Sequence, residues 1–280
     1  MPDEGASPVS CGPPAQGRTS VAESAPSAAA DPRTAELAAR LDAVRERISR
    51  AAAAAGRADL PRLVVVTKTH PAEDVLRLAA LGVTDVGENR DQEARPKAAE
   101  TAERLGSDAP RWHFIGQLQT NKAKHVVTYA AAVHSVDRVE LVDALSRAVV
   151  LRREREGADA VADLDCLVQV DVDERADEDR PEGIGPRGGA PLDRVDAVAA
   201  RLAAAEGLRL RGLMCVAPRG VDPADAFARL AGLGERLRAE HPQADVLSMG
   251  MSADLEAAVA AGATHVRIGS DILGARGHVG

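Results

Sequence analysis

Apolar positions recur along the chain with two different spacings. Leu37, Leu41, Val44 and Ile48 are three or four residues apart, which predicts a leading helix over about 33–55. Beyond this helix, short runs rich in β-branched residues alternate with stretches of helical periodicity. The predicted strands are 62–67, 83–86, 111–115, 132–136, 165–172, 208–216, 245–249 and 264–268. The predicted helices lie around 72–81, 90–105, 120–129, 138–156, 192–206, 223–240 and 253–261.

This alternation predicts an α/β fold, a single (β/α)8 TIM-type barrel with an extra N-terminal helix, because eight parallel strands close a barrel. No eighth helix is predicted after the last strand, so the leading helix is expected to fill that gap in the outer ring. Residues 1–31 are rich in Pro, Gly, Ser and Ala and are expected to form a disordered tail, which assigns 32–280 to the barrel. The acidic, then glycine-rich stretch 173–190 predicts a long loop after strand five.

Composition and charge exclude several classes of protein. A net charge of −8 and 1% aromatic residues argue against a nucleic-acid surface, which needs basic groups and stacking platforms. No apolar run approaches the roughly 20 residues that span a bilayer, and the first 30 residues do not resemble a signal peptide. The three cysteines lack metal-ligand spacing. A cytoplasmic protein without a metal or membrane partner is therefore expected.

The lysines are few and their positions are informative. Of 35 basic residues only four are lysine, which suggests that some are kept for what arginine lacks, a neutral nucleophilic amine. Lys68 ends the first predicted strand, and period-two alternation places it on the same face as Val64 and Val66. If that face is the barrel interior, burial lowers the amine's pKa. The alternative is a lysine at the solvent-exposed rim.

The ends of the last two strands predict an anion site. Gly250 and Ser252 follow strand seven, and Gly269 and Ser270 follow strand eight, where barrels commonly bind phosphate. Arg267 alternates with apolar neighbours in strand eight, so its guanidinium is expected to turn inward. An amine opposite a phosphate cradle favours pyridoxal 5′-phosphate (PLP) over a plain sugar phosphate.

Several motifs, in the order in which they occur, resemble one known family. They are VVVTKT, GEN, WHFIG, LQTNK, HSVD, GLM and LSMGMS followed by VRIGS and GAR. They are similar to the motifs of the pyridoxal phosphate homeostasis proteins (the YggS/PROSC family), whose fold is like the N-terminal barrel domain of alanine racemase. The resemblance runs from about residue 35 to Arg276.

The resemblance implies a role for each residue of the cofactor site. Lys68 would hold PLP as a Schiff base. Ser252, Gly269 and Ser270 would bind the phosphate, and Arg267 would face the pyridine nitrogen. The remaining residues implied near the ring are Asn89, His113 and Met249.

One departure from the family pattern concerns the phosphate turn. Asp271 stands where a small apolar residue is usual. Its charge would oppose a phosphate dianion unless the side chain points away.

The resemblance implies PLP homeostasis, with PLP and, in some cases, apo PLP-dependent enzymes as partners. No catalytic residue is expected, because an arginine facing the pyridine nitrogen keeps it unprotonated and makes the ring a weaker electron sink. Tyr129, the sole tyrosine, is predicted in an outer helix rather than at the site. The alternatives are a low-activity PLP-dependent racemase with His113 as second base, and a barrel that binds a phosphorylated metabolite without a Schiff base. Without the racemase's second domain, the protein is expected to be a monomer.

Overall fold

Parallel strands joined by helical connections close into a barrel in the order β1 to β8, with β8 pairing with β1. The computed structural model describes residues 31–173, 175 and 188–274. Within these ranges the strands are β1 (Arg62–Val66), β2 (Asp85–Glu88), β3 (Arg111–Phe114), β4 (Ala130–Val136), β5 (Leu164–Gln169), β6 (Leu208–Met214), β7 (Val246–Ser248) and β8 (His265–Ile268). The helices are α1 (Pro32–Ala54), α2 (Ala72–Ala80), α3 (Asp91–Leu105), α4 (Ala123–Val126), α5 (Val139–Glu156), α6 (Val195–Ala203), α7 (Pro223–Glu240), α8 (Leu255–Ala260) and α9 (Ser270–Leu273). The predicted TIM-type barrel is confirmed.

Period-two alternation divides each strand between two environments. In β1, Val65 belongs to the large apolar core between barrel and helices. Val64 and Val66 are also buried, and a Cβ added to Gly87 on β2 would lie 3.1 Å from a Val64 methyl group and 3.6 Å from a Val66 methyl group. Inside the barrel, Leu167, Met214 and Val246 form a small separate apolar cluster, whereas polar side chains occupy much of the remaining interior.

The leading helix α1 fills the gap in the helical ring, as predicted. The apolar stripe that predicted it is buried, from Leu37 to Ile48. The helix contacts α2, α8 and α9. Arg33 adds a specific link, because its guanidinium donates to the carbonyl of Leu273 at 3.0 Å and to Asp74 at 2.8 Å. The N-terminal helix therefore supports the turn that follows β8.

Two predicted features differ from the structure. The helix predicted over 120–129 is a 3-10 turn, Thr120–Lys122, followed by the four-residue α4. The Thr128 hydroxyl donates to the carbonyl of His125 at 2.7 Å, in the turn where the chain leaves the helix. Tyr129 lies in this turn rather than in a helix. The prediction that no helix follows β8 is also wrong, since the single helical turn α9 follows it.

Parts of two other predictions lie outside the described residues. Residues 1–30 of the predicted tail are among them, as are residues 174 and 176–187 of the predicted loop. The returning end of that loop is described, and Ala190 pairs in parallel with Val170 just beyond β5. In the described ranges, no helix is long and apolar enough to cross a membrane.

Candidate functional site

A cleft of about 420 Å³ opens at the carboxyl ends of the barrel strands. It is bounded by the segments that follow β1, β7 and β8, so residues far apart in sequence meet there. Five of the eight residues predicted for the site line it, namely Lys68, Ser252, Arg267, Gly269 and Ser270. Its volume lies within the range of small-molecule sites in proteins.

Lys68 is half-buried two residues beyond the end of β1, and its neighbours hold the backbone around it. Lys97 from α3 donates to the Thr67 carbonyl at 3.1 Å and to Glu88 Oε1 at 2.7 Å. The Thr67 hydroxyl donates to the same Glu88 oxygen at 2.9 Å. The residue before Lys68 is thus anchored through both its side chain and its carbonyl.

The residue after Lys68 has a strained backbone. Thr69 has a φ of 68°, a left-handed conformation that is unusual for a β-branched residue. Its N–H donates to Glu93 Oε2 at 3.0 Å, which helps to hold this conformation. Strained residues that are held in place by their surroundings concentrate at functional sites. This turn directs the peptide chain sharply away immediately after the lysine.

Two hydroxyl groups converge on the opposite side of the cleft. The Oγ atoms of Ser252 and Ser270 lie 3.3 Å apart although the residues follow different strands. Asp254 orients the turn after β7, which carries Ser252, because its Oδ1 accepts from the Met251 N–H at 2.6 Å. Gly269 lies against the end of β1, where an added Cβ would approach the Val66 carbonyl to 3.0 Å. Small residues and hydroxyl donors at this place suit an oxyanion.

Asp271 points away from these hydroxyls. Its carboxylate accepts from Arg47 of α1 at 3.0 Å. The same guanidinium donates to both carboxylate oxygens of Glu256, at 2.6 and 2.7 Å. The carboxylate that departs from the family pattern is therefore paired with the leading helix, through a guanidinium that it shares with Glu256.

Arg267 lies between the cleft and the barrel interior. Its side chain lines the cleft, although only 4% of the residue is exposed. Its guanidinium donates to Ser248 Oγ at 2.7 Å and to the Cys215 carbonyl at 2.8 Å. Burial lowers the pKa of Arg267, but an arginine stays protonated in proteins. The cleft floor therefore carries a fixed positive charge and hydrogen-bond donor.

The structure does not bring the other three predicted residues to the cleft lining. His113 is buried in the barrel interior and contacts Asp85 and His134. Met249 is fully buried in the core between barrel and helices. Asn89 borders a separate small pocket, and its backbone packs against Gly116.

Two functional candidates were missed in the sequence. His70 lines the cleft two residues after Lys68, and burial lowers its pKa. Its position in the TKTH segment next to the lysine was the available signal. Glu88 is fully buried with Oε2 lacking a hydrogen-bond partner, and burial raises its pKa despite the contact with Lys97. The glutamate of the GEN motif, directly before the predicted site residue Asn89, was the available signal.

Comparison with known proteins gives a consistent result. Residues 39–277 match the family described as "Alanine racemase, N-terminal domain". The pyridoxal phosphate homeostasis protein of Mycobacterium tuberculosis is 43% identical over 256 residues, which cover 87% of this chain and 94% of that protein. Its namesake from Escherichia coli K12 is 36% identical over 245 residues, or 86% and 97% of the two chains. The PLP-bound structure of PipY from Synechococcus elongatus is 30% identical with a TM-score of 0.67, over 85% of this chain and 99% of that one.

Proposed function

Because the chain belongs to the pyridoxal phosphate homeostasis protein family, we propose that it binds PLP in the cleft, with the Lys68 amine joined to the cofactor aldehyde as a Schiff base. The observation that carries the proposal is the meeting of Lys68, Arg267 and the Ser252–Ser270 hydroxyl pair in one cleft. Each of these groups suits a different part of PLP. The half-buried amine suits the aldehyde, the hydroxyls suit the phosphate and the guanidinium suits the pyridine nitrogen.

The phosphate end of the proposed site consists of the two hydroxyls and the glycine turn after β8. Each serine hydroxyl can donate to a phosphate oxygen, and hydrogen bonds to charged groups are stronger than neutral ones. Arg47 forms an ion pair with Asp271, the residue after Ser270, which weakens the repulsion between that carboxylate and a bound phosphate. These features support a dianionic ligand over an uncharged one.

The ring end is the part that limits catalysis. Bound PLP supplies an electron sink for reactions at the α-carbon of amino acids. Arg267 donates only, so a nitrogen facing it must accept and remain unprotonated. The neutral nitrogen withdraws less charge from the ring than a protonated one. We therefore propose a protein that holds and releases PLP and has no robust turnover of its own.

The racemase alternative needs an acid–base group on the ring face opposite Lys68. Among the described cleft-lining residues, His70 is the candidate for it, and its lowered pKa keeps it neutral near pH 7. The hydroxyl of Tyr129 is buried in the turn before β4 and does not line the cleft. Incubation of the PLP-loaded protein with single amino-acid enantiomers in heavy water separates the two functions. Deuterium at the α-carbon at enzymatic rates would overturn the binding function in favour of the racemase.

The proposal extends to a cytoplasmic monomer that passes PLP to apo PLP-dependent enzymes. Lys68 is half-buried rather than enclosed, which leaves the Schiff base within reach of water or a recipient's amine. Mixing the loaded protein with an apo-transaminase should restore transaminase activity faster than the same protein reduced with borohydride, which cannot release its cofactor. Equal rates would contradict transfer, and size-exclusion chromatography tests the monomer.

The first test of the proposed function is spectroscopic. Purified protein loaded with PLP and freed of excess ligand should show the absorption band of a PLP Schiff base. Lys68→Ala should lack the band, whereas Lys124→Ala, which removes an exposed lysine of α4, should keep it. A colourless wild-type protein after loading would refute PLP binding.

A further inference from the structure

A continuous line of hydrogen bonds crosses the barrel interior and ends at the cleft. Arg267 Nη1 lies 2.7 Å from Ser248 Oγ, and Ser248 Oγ lies 2.9 Å from His134 Nδ1. His134 Nε2 lies 2.8 Å from His113 Nδ1, and His113 Nε2 lies 2.8 Å from Asp85 Oδ1. These five side chains come from β8, β7, β4, β3 and β2. All five residues are at most 4% exposed.

The two ends of the line determine where its protons lie. Burial works to raise the pKa of Asp85, but hydrogen bonds from His113 and Thr84 outweigh it and hold that pKa well below its ordinary range. Asp85 is therefore ionised and accepts. At the other end, Arg267 can only donate, so Ser248 Oγ accepts from it.

The intermediate protons follow from these ends. Burial holds the pKa of His134 well below its ordinary value, so this ring is neutral. With Ser248 already accepting from Arg267, its own proton goes to His134 Nδ1, and His134 Nε2–H donates to His113 Nδ1. His113 Nε2–H then donates to Asp85. In this arrangement every donor points from Arg267 towards Asp85, and every ring nitrogen in the line is satisfied.

Among the described residues, the direct hydrogen-bond partners of Arg267 provide no bonded counter-ion. Ser248 Oγ and the Cys215 carbonyl are neutral acceptors, and Asp254 attracts the guanidinium only through space. A buried charge that lacks a paired charge is costly. The line connects this cation to the Asp85 carboxylate, which is fully buried and also contacts Arg62 at 3.5 Å. Polarised hydrogen bonds in a low-dielectric interior strengthen one another.

We propose that Ser248, His134, His113 and Asp85 are positioning residues that hold the Arg267 guanidinium against the pyridine nitrogen and transmit changes at the cofactor to the far end of the barrel. The inference rests on the proposed function, because it needs a ligand that accepts from Arg267. It assigns His113 a role through Arg267 instead of direct contact with the ring. A purely structural polar network would satisfy its own groups without responding to the ligand.

The far end of the line lies beside a small cavity. His113 and His134 border a cavity of about 100 Å³ near the amino ends of the strands, together with Arg62, Arg111 and His265. Burial lowers the pKa of His265 to about 4, so this ring is neutral at pH 7. The ring signals of His113 and His134 can therefore report changes at the cofactor site near pH 7, because His265 does not titrate there.

Nitrogen-15 NMR of the histidine rings tests the proposal. In the protein without PLP, His134 should be neutral, and both the His134 and the His113 ring should carry a proton on Nε2. Saturation with PLP should move the ring signals of both residues, which are assigned from single His→Asn variants. In Ser248→Ala, which cuts the line beside Arg267, the shift at His113 should be lost in protein that is saturated with PLP, as judged by its absorption band.

The outcomes separate the two proposals. A wild-type protein without the absorption band refutes the proposed function. If the wild-type protein shows the band but its His113 and His134 signals do not move on PLP binding, only the proposed transmission along the line is refuted. An undiminished His113 shift in Ser248→Ala would refute it as well. Protons on Nδ1 in either ring would contradict the assigned direction of the line.

A double-mutant cycle provides a second readout. Asp85→Asn keeps an oxygen that can accept from His113 but removes the charge, so the absorption maximum of bound PLP should shift. The same change in a Ser248→Ala background should have no further effect, because the connection is already broken. The matched control is Asp165→Asn, which removes a carboxylate that borders the same cavity but is bound to Arg111 and Arg209 and not to the line; it should leave the maximum unchanged. Equal shifts from Asp85→Asn in both backgrounds would contradict action through the line.

Discussion

Replacement of Lys97 by Met tests how the end of β1 is held beneath Lys68. The substitution keeps an unbranched apolar chain of similar length and removes the donor that lies 2.7 Å from Glu88 Oε1 and 3.1 Å from the Thr67 carbonyl. The Glu88 side chain is only 1% exposed and would keep the hydrogen bond from the Thr67 hydroxyl. Removal of one partner from a buried ion pair costs about 3–5 kcal/mol. This is a large share of the roughly 5–15 kcal/mol that stabilises a typical domain.

The pH dependence of the effect has a definite sign. Burial already raises the pKa of Glu88 above 4.5, against the opposing effect of Lys97. A carboxyl with a raised folded-state pKa binds more protons when folded than when unfolded, so stability falls as pH rises above the unfolded value. Loss of Lys97 raises that pKa further. The variant should therefore lose most stability at pH 8 and recover part of it near pH 5.

Urea denaturation of the apo-protein, followed by circular dichroism at both pH values, measures this effect. Glu88→Gln in the Lys97→Met background should recover stability, because it removes the unpaired charge. Lys124→Met, at an exposed position of α4, should stay within about 0.5 kcal/mol of wild type. A Lys97→Met loss below about 1 kcal/mol at pH 8, or one that is the same at pH 5, would refute the reasoning.

Two further predictions concern PLP affinity, measured by absorption titration. Ser252→Ala and Ser270→Ala should each raise the Kd about 10- to 100-fold, because a hydrogen bond to a charged group contributes about 1.5–3 kcal/mol. Ser107→Ala, at an exposed position, is the control. An effect no larger than that of the control would place the phosphate elsewhere. Arg47→Ala should raise the Kd about two- to fivefold, as expected for a partly exposed pair worth up to about 1 kcal/mol, and Asp271→Asn should reverse the loss. Failure of Asp271→Asn to restore affinity would show that Arg47 acts by another route, and Arg45→Ala on the same helix is the control.

Local patterns in the sequence were sufficient for most of the fold and part of the site. The valine alternation in β1 and the small residues after β7 and β8 are local signals. They were enough to place Lys68, Ser252 and Ser270 at the carboxyl ends of these strands, where all three line the cleft. Arg267 was predicted to turn inward because its neighbours Val266 and Ile268 are apolar, and both are fully buried.

The remaining features depend on partners from distant parts of the chain. Glu88 and Lys97 meet only when α3 packs beside β2, and no periodicity in either segment records that contact. The line from Arg267 to Asp85 requires five strands to present one side chain each to the same interior. His113 alone resembled a residue beside the ring, and its bonds to Asp85 and His134 appear only in the closed barrel.

The most direct test of the central claim is to identify the lysine that carries PLP. The loaded wild-type protein is reduced with borohydride, digested and mapped by mass spectrometry. The account predicts one phosphopyridoxyl group per chain, on the peptide that contains Lys68. A main adduct on Lys97, Lys122 or Lys124, or no adduct from a protein that binds PLP, would contradict it.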